Sequence, residues 1–337
     1  MSDPRICIVG AGALSSRRIY PYIGEAGGRL VGVCDLDRAK AELNAGRFGG
    51  AVYQDMSAML EEQRPDGVMI CVGPRHHARL ATQAMELGFP VYTEKPPAMS
   101  AAEALEVARV SHRTGQLCTT AFKKRYNKAY SRARDWLAQF PEEDRLSVSI
   151  DYCSGKFAND APERTFLFDF TIHAIDLTQF LFGQVESVFA FAKGLDAYAV
   201  ALRFRNGAVG SLNFNDGRSY TNPTEEVELT VKGSHSMTVH NSSHWRITEG
   251  GRPTEWREPP TFISAGDSGH DTGHLSEIED YFAAITAKRT TRSNAWESYK
   301  SMVLFEAIRD SAQTGQPVTV RLEKVEETTA TAALAST

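Results

Sequence analysis

An apolar segment near the middle of the chain carries three ionisable side chains at helical spacing. Asp169, His173 and Asp176 occupy positions i, i+4 and i+7 of the stretch 166–182, so one face of a helix would present all three. Because the rest of the stretch is apolar, the helix must be largely buried, and buried ionisable groups require partners or a polar cavity. A carboxylate at Asp169 would orient His173 for general acid–base chemistry near neutral pH. On this segment alone a structural core histidine is an equal alternative, and for Asp176 a structural role is favoured.

A second candidate group follows the predicted strand Pro90–Thr93, in the sequence Thr-Glu-Lys-Pro-Pro. A residue that precedes proline is pushed into extended backbone. Lys95 should therefore project beyond the C-terminal end of the strand, where ligands bind in open α/β sheets. An ammonium group there would bind a substrate hydroxyl and stabilise developing alkoxide charge. From the spacing alone, a solvated lysine in a proline turn remains an equal alternative.

The first strand of the chain, Arg5–Val9, is followed by a glycine-rich turn, Gly-Ala-Gly-Ala-Leu-Ser. Gly10 permits a tight turn from strand to helix, and Gly12 has no side chain to block a pyrophosphate. The helix that begins around Ala13 and Leu14 would present free backbone N–H groups to the phosphates. The pattern predicts a dinucleotide-binding turn.

An acidic residue stands where such a turn requires one. Asp35 ends the second predicted strand, Leu30–Cys34, at about the expected ~20 residues from the turn. Its carboxylate would accept hydrogen bonds from the adenine ribose and would repel a 2′-phosphate, which favours NAD. Arg38 nearby could offset that repulsion, so NADP is not excluded.

The elements around these residues alternate between strands and helices in the first ~120 residues. The predicted helices 75–87 and 101–114 end at glycines, and Pro21 should kink or shorten the first helix. This alternation predicts a doubly wound parallel sheet. The predicted strands are Arg5–Val9, Leu30–Cys34, Gly67–Val72, Pro90–Thr93 and Leu117–Ala121.

After residue ~123 strand-like runs and turn signals dominate, which predicts an α+β unit with a large, mostly antiparallel sheet. Helices are predicted at about 126–139 and 169–182, with two more that close the unit, the second at about 295–313. One face of this sheet would lack a helical cover, which favours self-association. The predicted strands are Leu146–Cys153, Ser187–Lys193, Ala197–Phe204, Val209–Asn215, Glu226–Lys232 and Met237–Asn241.

Composition excludes several classes of partner. The chain has 337 residues, a net charge of −5 and a pI near 6.0, which favours neither nucleic acid nor an anionic membrane. No apolar run approaches the ~18–20 residues of a membrane span, and no signal peptide is predicted. The 5 cysteines form no CxxC pair, which favours reduced thiols and a cytoplasmic location. His270 and His274 lack a further placed ligand, so no metal site is predicted, and a place for His274 in the substrate pocket stays open.

Together these motifs resemble the Gfo/Idh/MocA oxidoreductase family, which includes glucose–fructose oxidoreductase and inositol dehydrogenases. The glycine-rich turn 10–15 is similar to the dinucleotide loop of the family, and residues 94–96 resemble its Glu-Lys-Pro motif. Residues 169–176 resemble its Asp-x-Gly-x-His-x-x-Asp segment, with Thr171 in place of the glycine. The likeness extends over nearly the whole chain, and the combination is specific although each motif alone is not.

The resemblance implies roles for individual residues. Lys95 would hold the reacting hydroxyl or carbonyl near the nicotinamide, His173 would be the general base or acid, and Asp169 would bind substrate and steady His173. Val72, Pro74, His77 and Glu94 would join the residues named above at the cofactor. Arg125, at the domain junction, would contribute to the substrate site, and Tyr152 could line the same pocket.

The resemblance also implies an α/β fold: a Rossmann domain at 1–122 and an α+β domain at 123–325 for substrate binding and oligomerisation. The tail 326–337 is rich in Thr and Ala and lacks periodicity, which predicts disorder. The expected activity is NAD(P)-dependent hydride transfer to or from a hydroxyl or keto carbon of a sugar, polyol or related cyclic substrate. A homodimer or homotetramer would form through the C-terminal sheet. One alternative is NAD-assisted glycoside cleavage or epimerisation without net redox, as in some members of the family. Another is a non-enzymatic regulator that senses dinucleotide or sugar, which the intact set Lys95, Asp169 and His173 disfavours.

Overall fold

The computed structural model describes residues 3–155, 165–219, 221–258 and 269–324. These ranges contain one sheet of six strands and one of nine strands. The strands are β1 Arg5–Val9, β2 Arg29–Cys34, β3 Ala51–Tyr53, β4 Gly67–Ile70, β5 Val91–Thr93, β6 Cys118–Thr120, β7 Arg145–Cys153, β8 Val185–Lys193, β9 Ala197–Phe204, β10 Val209–Asn215, β11 Thr224–Val231, β12 His235–His240, β13 His244–Glu249, β14 Arg252–Arg257 and β15 Val318–Thr319. The helices are α1 Ala13–Arg18, α2 Tyr20–Glu25, α3 Arg38–Phe48, α4 Met56–Gln63, α5 His77–Glu86, α6 Ala101–Thr114, α7 Lys128–Leu137, α8 Ile172–Phe182, α9 Gly269–Thr272, α10 His274–Ala287 and α11 Ala295–Thr314.

The N-terminal sheet has the strand order β3-β2-β1-β4-β5-β6, and all of its pairings are parallel. Because the strands are parallel, the residues that follow β1, β2, β5 and β6 meet at one edge of the sheet. The predicted doubly wound parallel sheet is confirmed.

Pro21 interrupts the first helix as predicted. Helix α1 ends at Arg18, Ile19 separates the two segments, and Pro21 is the second residue of α2. Proline lacks a backbone N–H and fits the first turn of a helix, so the chain bends here without losing a hydrogen bond.

The second sheet has the order β14-β13-β12-β11-β7-β10-β9-β8-β15, and within it only β7 and β10 pair in parallel. Its predicted, mostly antiparallel character is confirmed. Along β9 every second side chain is buried, with Val200 and Leu202 in the core and Ala199 and Ala201 exposed. One face therefore packs on the large core that α7, α8 and α11 share, and no helix of the described residues covers the other face.

Helix α10 belongs in space to the N-terminal sheet, although it lies far along the chain. Ile278, Tyr281 and Phe282 join the core cluster of β1 and β2. The Tyr281 hydroxyl donates to the carbonyl oxygens of Val68 at 3.2 Å and Pro90 at 2.9 Å. The division between residues 122 and 123 stays a prediction, but α10 crosses it in space. The predicted tail 326–337 lies outside the described residues, and none of the described helices is long and apolar enough to cross a membrane.

Candidate active site

The glycine-rich turn after β1 forms an open cradle for a pyrophosphate. Gly10 has φ +105°, and a Cβ there would lie 2.1 Å from the carbonyl oxygen of Cys71, so no other residue fits. A Cβ at Gly12 would meet nothing within 4 Å, and no side chain caps α1 at this residue. The first N–H groups of α1 thus lack a side-chain acceptor, and Ala13 and Leu14 lie where a dinucleotide phosphate would bind.

Asp35 braces this turn from the end of β2. Its Oδ2 accepts from the backbone N–H of Ala11 at 2.7 Å, and its Oδ1 accepts from that of Asp37 at 2.8 Å. A carboxylate has about four lone-pair sites, so acceptor capacity remains for ribose hydroxyls. Arg38 is exposed and forms an ion pair with Glu42 at 2.8 Å, which reduces its capacity to offset the charge of Asp35.

His77 fixes two loops that flank the cradle. It is buried, with Nδ1 2.7 Å from the carbonyl oxygen of Pro96 and Nε2 2.9 Å from that of Val72. Burial lowers the pKa of its imidazole. Both ring nitrogens contact backbone, so His77 would support the cofactor site by holding Val72 and the 3-10 turn that begins at Pro74.

Lys95 links the N-terminal sheet to the other domain. Its Nζ donates to the backbone oxygen of Asp169 at 2.7 Å and to Oδ1 of the same residue at 3.1 Å. Both side chains are largely buried, at 16% and 5% exposure. Glu94 is also buried, and burial raises the pKa of its carboxyl group. The chain thus brings Lys95 and Asp169, which are far apart in sequence, into direct contact.

His173 lies beside this pair with an unusual environment. Its Nδ1 is buried without a hydrogen-bond partner among the described residues, which leaves Nε2 as the nitrogen open to the pocket. The ring of Phe122 packs edge-on against it at 6.1 Å between centroids. Burial, together with the positive fields of neighbouring basic residues, holds the pKa of His173 well below its ordinary value.

Asp169 was expected to orient His173, but the two side chains form no hydrogen bond with each other, and the three ionisable residues do not share one regular helix face. Asp169 lies in a π-helical turn, Phe166–Phe170, and α8 begins only at Ile172. A π-turn holds more residues than an α-turn, so it rotates Asp169 out of the i, i+4 relationship with His173. Asp169 contacts Lys95 instead.

Arg125 is held by buried protein groups, and its contribution to the substrate site stays a prediction. It is buried, and its guanidinium donates to both carboxylate oxygens of Asp176, at 2.9 and 2.8 Å. It also donates to the carbonyl of Arg292 at 2.6 Å and to Glu297 at 3.3 Å. Ser301 completes the set by donating to Asp176 at 2.7 Å. With its donors held in this way, Arg125 connects α8 and α11.

Sequence reasoning did not place a buried cation beside Tyr152, the predicted pocket residue. Lys124 forms an ion pair with Glu225, and its Nζ lies 5.4 Å from the Tyr152 ring centroid and 5.8 Å from that of Tyr130. The hydroxyls of Tyr130 and Ser242 also donate to Glu225. Burial, then the charge of Lys123, holds the pKa of Lys124 well below its ordinary value. No local sequence signal links Lys124 to an acid about 100 residues away.

The charge of His274 acts on His173, whereas His270 is exposed to solvent. His274 accepts from or donates to Thr272 at 2.9 Å and stacks on Tyr22 at 6.5 Å between centroids. Its field acts on His173, and burial lowers its own pKa well below the ordinary value. His270 is exposed and contacts Ser276 at 3.0 Å. The contribution of His274 to the substrate pocket stays a prediction.

Comparison with known proteins covers both halves of the chain. Residues 4–122 match the NAD-binding Rossmann fold of the oxidoreductase family GFO_IDH_MocA. Residues 158–320 match the C-terminal alpha/beta domain of the same family. The predicted resemblance and the NAD-binding fold are confirmed.

Individual relatives share the fold at low sequence identity. D-glucoside 3-dehydrogenase of Escherichia coli is 24% identical, and the match covers 94% of this chain and 97% of that protein. Inositol 2-dehydrogenase 2 of Saccharopolyspora erythraea is 24% identical over 94% of this chain and 95% of its own length. A structure of levoglucosan dehydrogenase in complex with NADH and L-sorbose superposes with a TM-score of 0.84 at 20% identity, covering 95% of this chain and 100% of that one.

Proposed function

The chain belongs to the GFO_IDH_MocA oxidoreductase family, and from this premise we propose that it transfers hydride between NAD and a sugar, polyol or related cyclic substrate. The reacting carbon would carry a hydroxyl or a keto group. The relatives named above are dehydrogenases of a glucoside and of inositol, which supports a carbohydrate-like substrate.

One observation carries the proposal: Lys95, Asp169 and His173 converge at the C-terminal end of β5. Ligands bind at this edge in open parallel sheets, and the glycine-rich cradle after β1 opens on the same edge. NAD, when bound, supplies the hydride acceptor or donor. The chain must supply a proton acceptor and a group that stabilises charge on the reacting oxygen.

Lys95 supplies the charge. Its ammonium has three donors, and Asp169 occupies part of this capacity and fixes the direction of the rest. A remaining donor would hold the reacting oxygen and stabilise its developing negative charge during oxidation.

His173 supplies the proton acceptor. Because burial and nearby cations keep the imidazole neutral, Nε2 is free to accept the hydroxyl proton. In the opposite direction the imidazolium would return a proton to the carbonyl oxygen. Phe122 on one side of the ring limits its rotation.

We further propose that the protein forms a homodimer or homotetramer through the open face of the C-terminal sheet. That face presents small side chains such as Ala199, Ala201 and Ser211, which permit close contact with a second copy. Free, mostly buried thiols at all five cysteines support a reducing compartment, the cytoplasm, as the place of work.

The test is to incubate the purified protein with NAD and pooled polyols, aldoses, amino sugars and deoxy sugars, and to follow the absorbance of reduced nicotinamide. A rise that Lys95→Met abolishes is the expected result, and dividing the pool identifies the substrate. Product formation with no net change in absorbance would favour the epimerase or glycosidase alternative. Binding of NAD with no turnover in either direction would overturn the proposal.

A further inference from the structure

The charges of three lysines act on His173, and two of these lysines follow neighbouring strands at the same edge of the N-terminal sheet. Strands β5 and β6 pair in parallel, with Thr93 opposite Thr120. Lys95 lies two residues beyond Thr93, and Lys123 lies three residues beyond Thr120 at the start of a 3-10 turn. Lys124 follows directly, and the fields of all three lysines act on His173. The site thus contains two lysines in addition to Lys95, the lysine of the Glu-Lys-Pro motif.

Two of the three charges are balanced within the protein. Lys95 pairs with Asp169, and Lys124 pairs with Glu225. Across the described part of the chain, Lys123 has no acidic side chain within ion-pairing distance. It is nonetheless half-buried, and burial lowers the pKa of its ammonium to about 8, so the cation persists at neutral pH. Lys123 is therefore a positive charge that no acid of the described residues pairs with.

The acids whose fields reach Lys123 do not supply that compensation. They are Glu277 and Glu94. The Oε1 atom of Glu277 is held by the Tyr92 hydroxyl at 2.8 Å, and Oε2 of Glu94 by the backbone N–H of Lys95 at 3.3 Å. Burial raises the pKa of both carboxyl groups, well above the ordinary value for Glu277.

The backbone around Lys123 is fixed by hydrogen bonds, so the 3-10 turn that carries this lysine keeps its position. The carbonyl oxygen of Lys123 accepts from the N–H groups of Tyr126 at 2.9 Å and Asn127 at 3.0 Å. A Cβ at Gly273 would lie 2.1 Å from the same oxygen, so the residue before His274 packs directly on this turn. The start of α10 and the 3-10 turn are therefore locked together beside the pocket.

We propose that the substrate carries a carboxylate and that Lys123 binds it, so that the enzyme acts on sugar acids such as aldonates or uronates. The inference rests on the proposed hydride transfer and specifies its substrate class. An unpaired cation in a partly desolvated pocket is costly, and an anionic ligand removes that cost by forming a charge-assisted hydrogen bond. A neutral polyol would leave the charge uncompensated. The oxidised nicotinamide would add a further positive charge, which strengthens the preference for an anion.

The experiment compares acid and neutral sugars of matched stereochemistry. The pairs are D-glucuronate with D-glucose, D-galacturonate with D-galactose, and D-gluconate with D-glucitol. Binding to the enzyme–NADH complex is measured by titration calorimetry, and turnover with NAD is measured in parallel. We expect at least one acid to bind at least ~10-fold more tightly than its neutral partner, the scale of one charge-assisted contact.

Two variants test the assignment to Lys123. Lys123→Met should abolish the preference for the acid, raising KM for the acid with little change in kcat at pH values above the acid limb, while Lys123→Arg should retain part of it. Lys324→Met, at an exposed site remote from the pocket, is the matched control and should leave the preference intact. Unchanged NADH affinity and thermal midpoint in Lys123→Met exclude cofactor binding or folding as the cause.

The outcomes separate this inference from the proposed function. Equal or better binding of every neutral partner, or an equal loss for acid and neutral sugar in Lys123→Met, would overturn the carboxylate assignment while leaving hydride transfer in place. Preferential binding of an acid that depends on Lys123, without any turnover, would support the anion site and count against the dehydrogenase. A failure of all six compounds to bind would overturn the carboxylate assignment.

Discussion

The Nζ atom of Lys95 donates to the backbone oxygen and to Oδ1 of Asp169, at 2.7 and 3.1 Å. The two residues come from different domains, the first from the loop after β5 and the second from the π-helical turn before α8. The orientation of the lysine at the cofactor edge therefore depends on the second domain. The two residues are 74 positions apart, so neither segment alone could predict this pairing.

Loss of the Asp169 charge should change the orientation of the Lys95 ammonium, although the ammonium itself remains. In Asp169→Asn the backbone acceptor remains and the charged side-chain acceptor is lost. We expect kcat to fall by about 10²-fold, since small misplacements of a reacting group cost about that much. Steady-state kinetics would measure the fall in kcat, with the substrate that the pooled-sugar assay identifies. NADH affinity is the control. A loss confined to KM would indicate that Asp169 binds substrate without orienting Lys95.

Removal of the Lys95 ammonium should cost more. Lys95→Met preserves the length and the apolar stem but stabilises no negative charge on oxygen. We expect kcat/KM to fall about 10²–10³-fold, the usual effect of losing one donor to a developing oxyanion. Fluorescence titration with NADH checks that the cofactor site is intact. Wild-type turnover in this variant would remove Lys95 from the mechanism.

The pH dependence of oxidation should report His173. Neutral imidazole is the active form in oxidation, and burial with the fields of Lys95, Lys123, Lys124 and His274 lowers its pKa. The acid limb of kcat should therefore lie below the ordinary histidine value of ~6.5. Reduction requires the imidazolium, so its rate should fall as pH rises through the same pKa.

Two variants test that assignment. Lys123→Met removes one positive field, so the pKa of His173 should rise and the acid limb should move toward neutral pH. His173→Gln should lower kcat about 10²–10⁴-fold and abolish the limb. An acid limb that persists in His173→Gln would show that another group is the base.

Much of the fold could be predicted because it follows from local patterns. The strands β1, β9 and β10 lie where alternating or continuous apolar runs predict them. The strands β13 and β14 were missed because segments such as 252–257 are polar, with Trp256 exposed, and owe their pairing to β12 and to each other. Strand pairing of that kind is not encoded in hydrophobic periodicity.

The site was predictable only in part, for a related reason. Lys95 and His173 stand in recognisable motifs, but a helical wheel assumes a regular α-helix through Asp169. The π-turn at 166–170 breaks that assumption. The pair of Arg125 and Asp176 was also missed, because the two residues are 51 positions apart and no local signal joins them.

The buried pair of Arg125 and Asp176 should govern stability more than specificity. Arg125→Met leaves Asp176 buried and uncompensated, and we expect a loss of about 3–5 kcal/mol in the free energy of unfolding. The double variant Arg125→Met with Asp176→Leu removes both charges and should recover much of that loss. Denaturant unfolding of the three proteins measures it. A stable Arg125→Met enzyme with a raised KM for substrate would instead support the predicted place of Arg125 in the substrate site.

The preference for NAD over NADP should depend on the charge of Asp35. Its carboxylate stands at the end of β2 against the glycine-rich turn, while Arg38 is engaged with Glu42 on the surface. A 2′-phosphate placed near Asp35 would meet an unneutralised negative charge. Asp35→Asn retains an acceptor for the N–H of Ala11 and removes that charge, so the ratio of kcat/KM for NAD to that for NADP should fall about tenfold, equivalent to roughly 1.4 kcal/mol.

Glu42→Gln, which frees Arg38 but leaves Asp35 charged, should shift the ratio in the same direction by less. An unchanged ratio in Asp35→Asn would mean that the adenosine lies away from this carboxylate and that the cofactor preference is set elsewhere on the sheet edge.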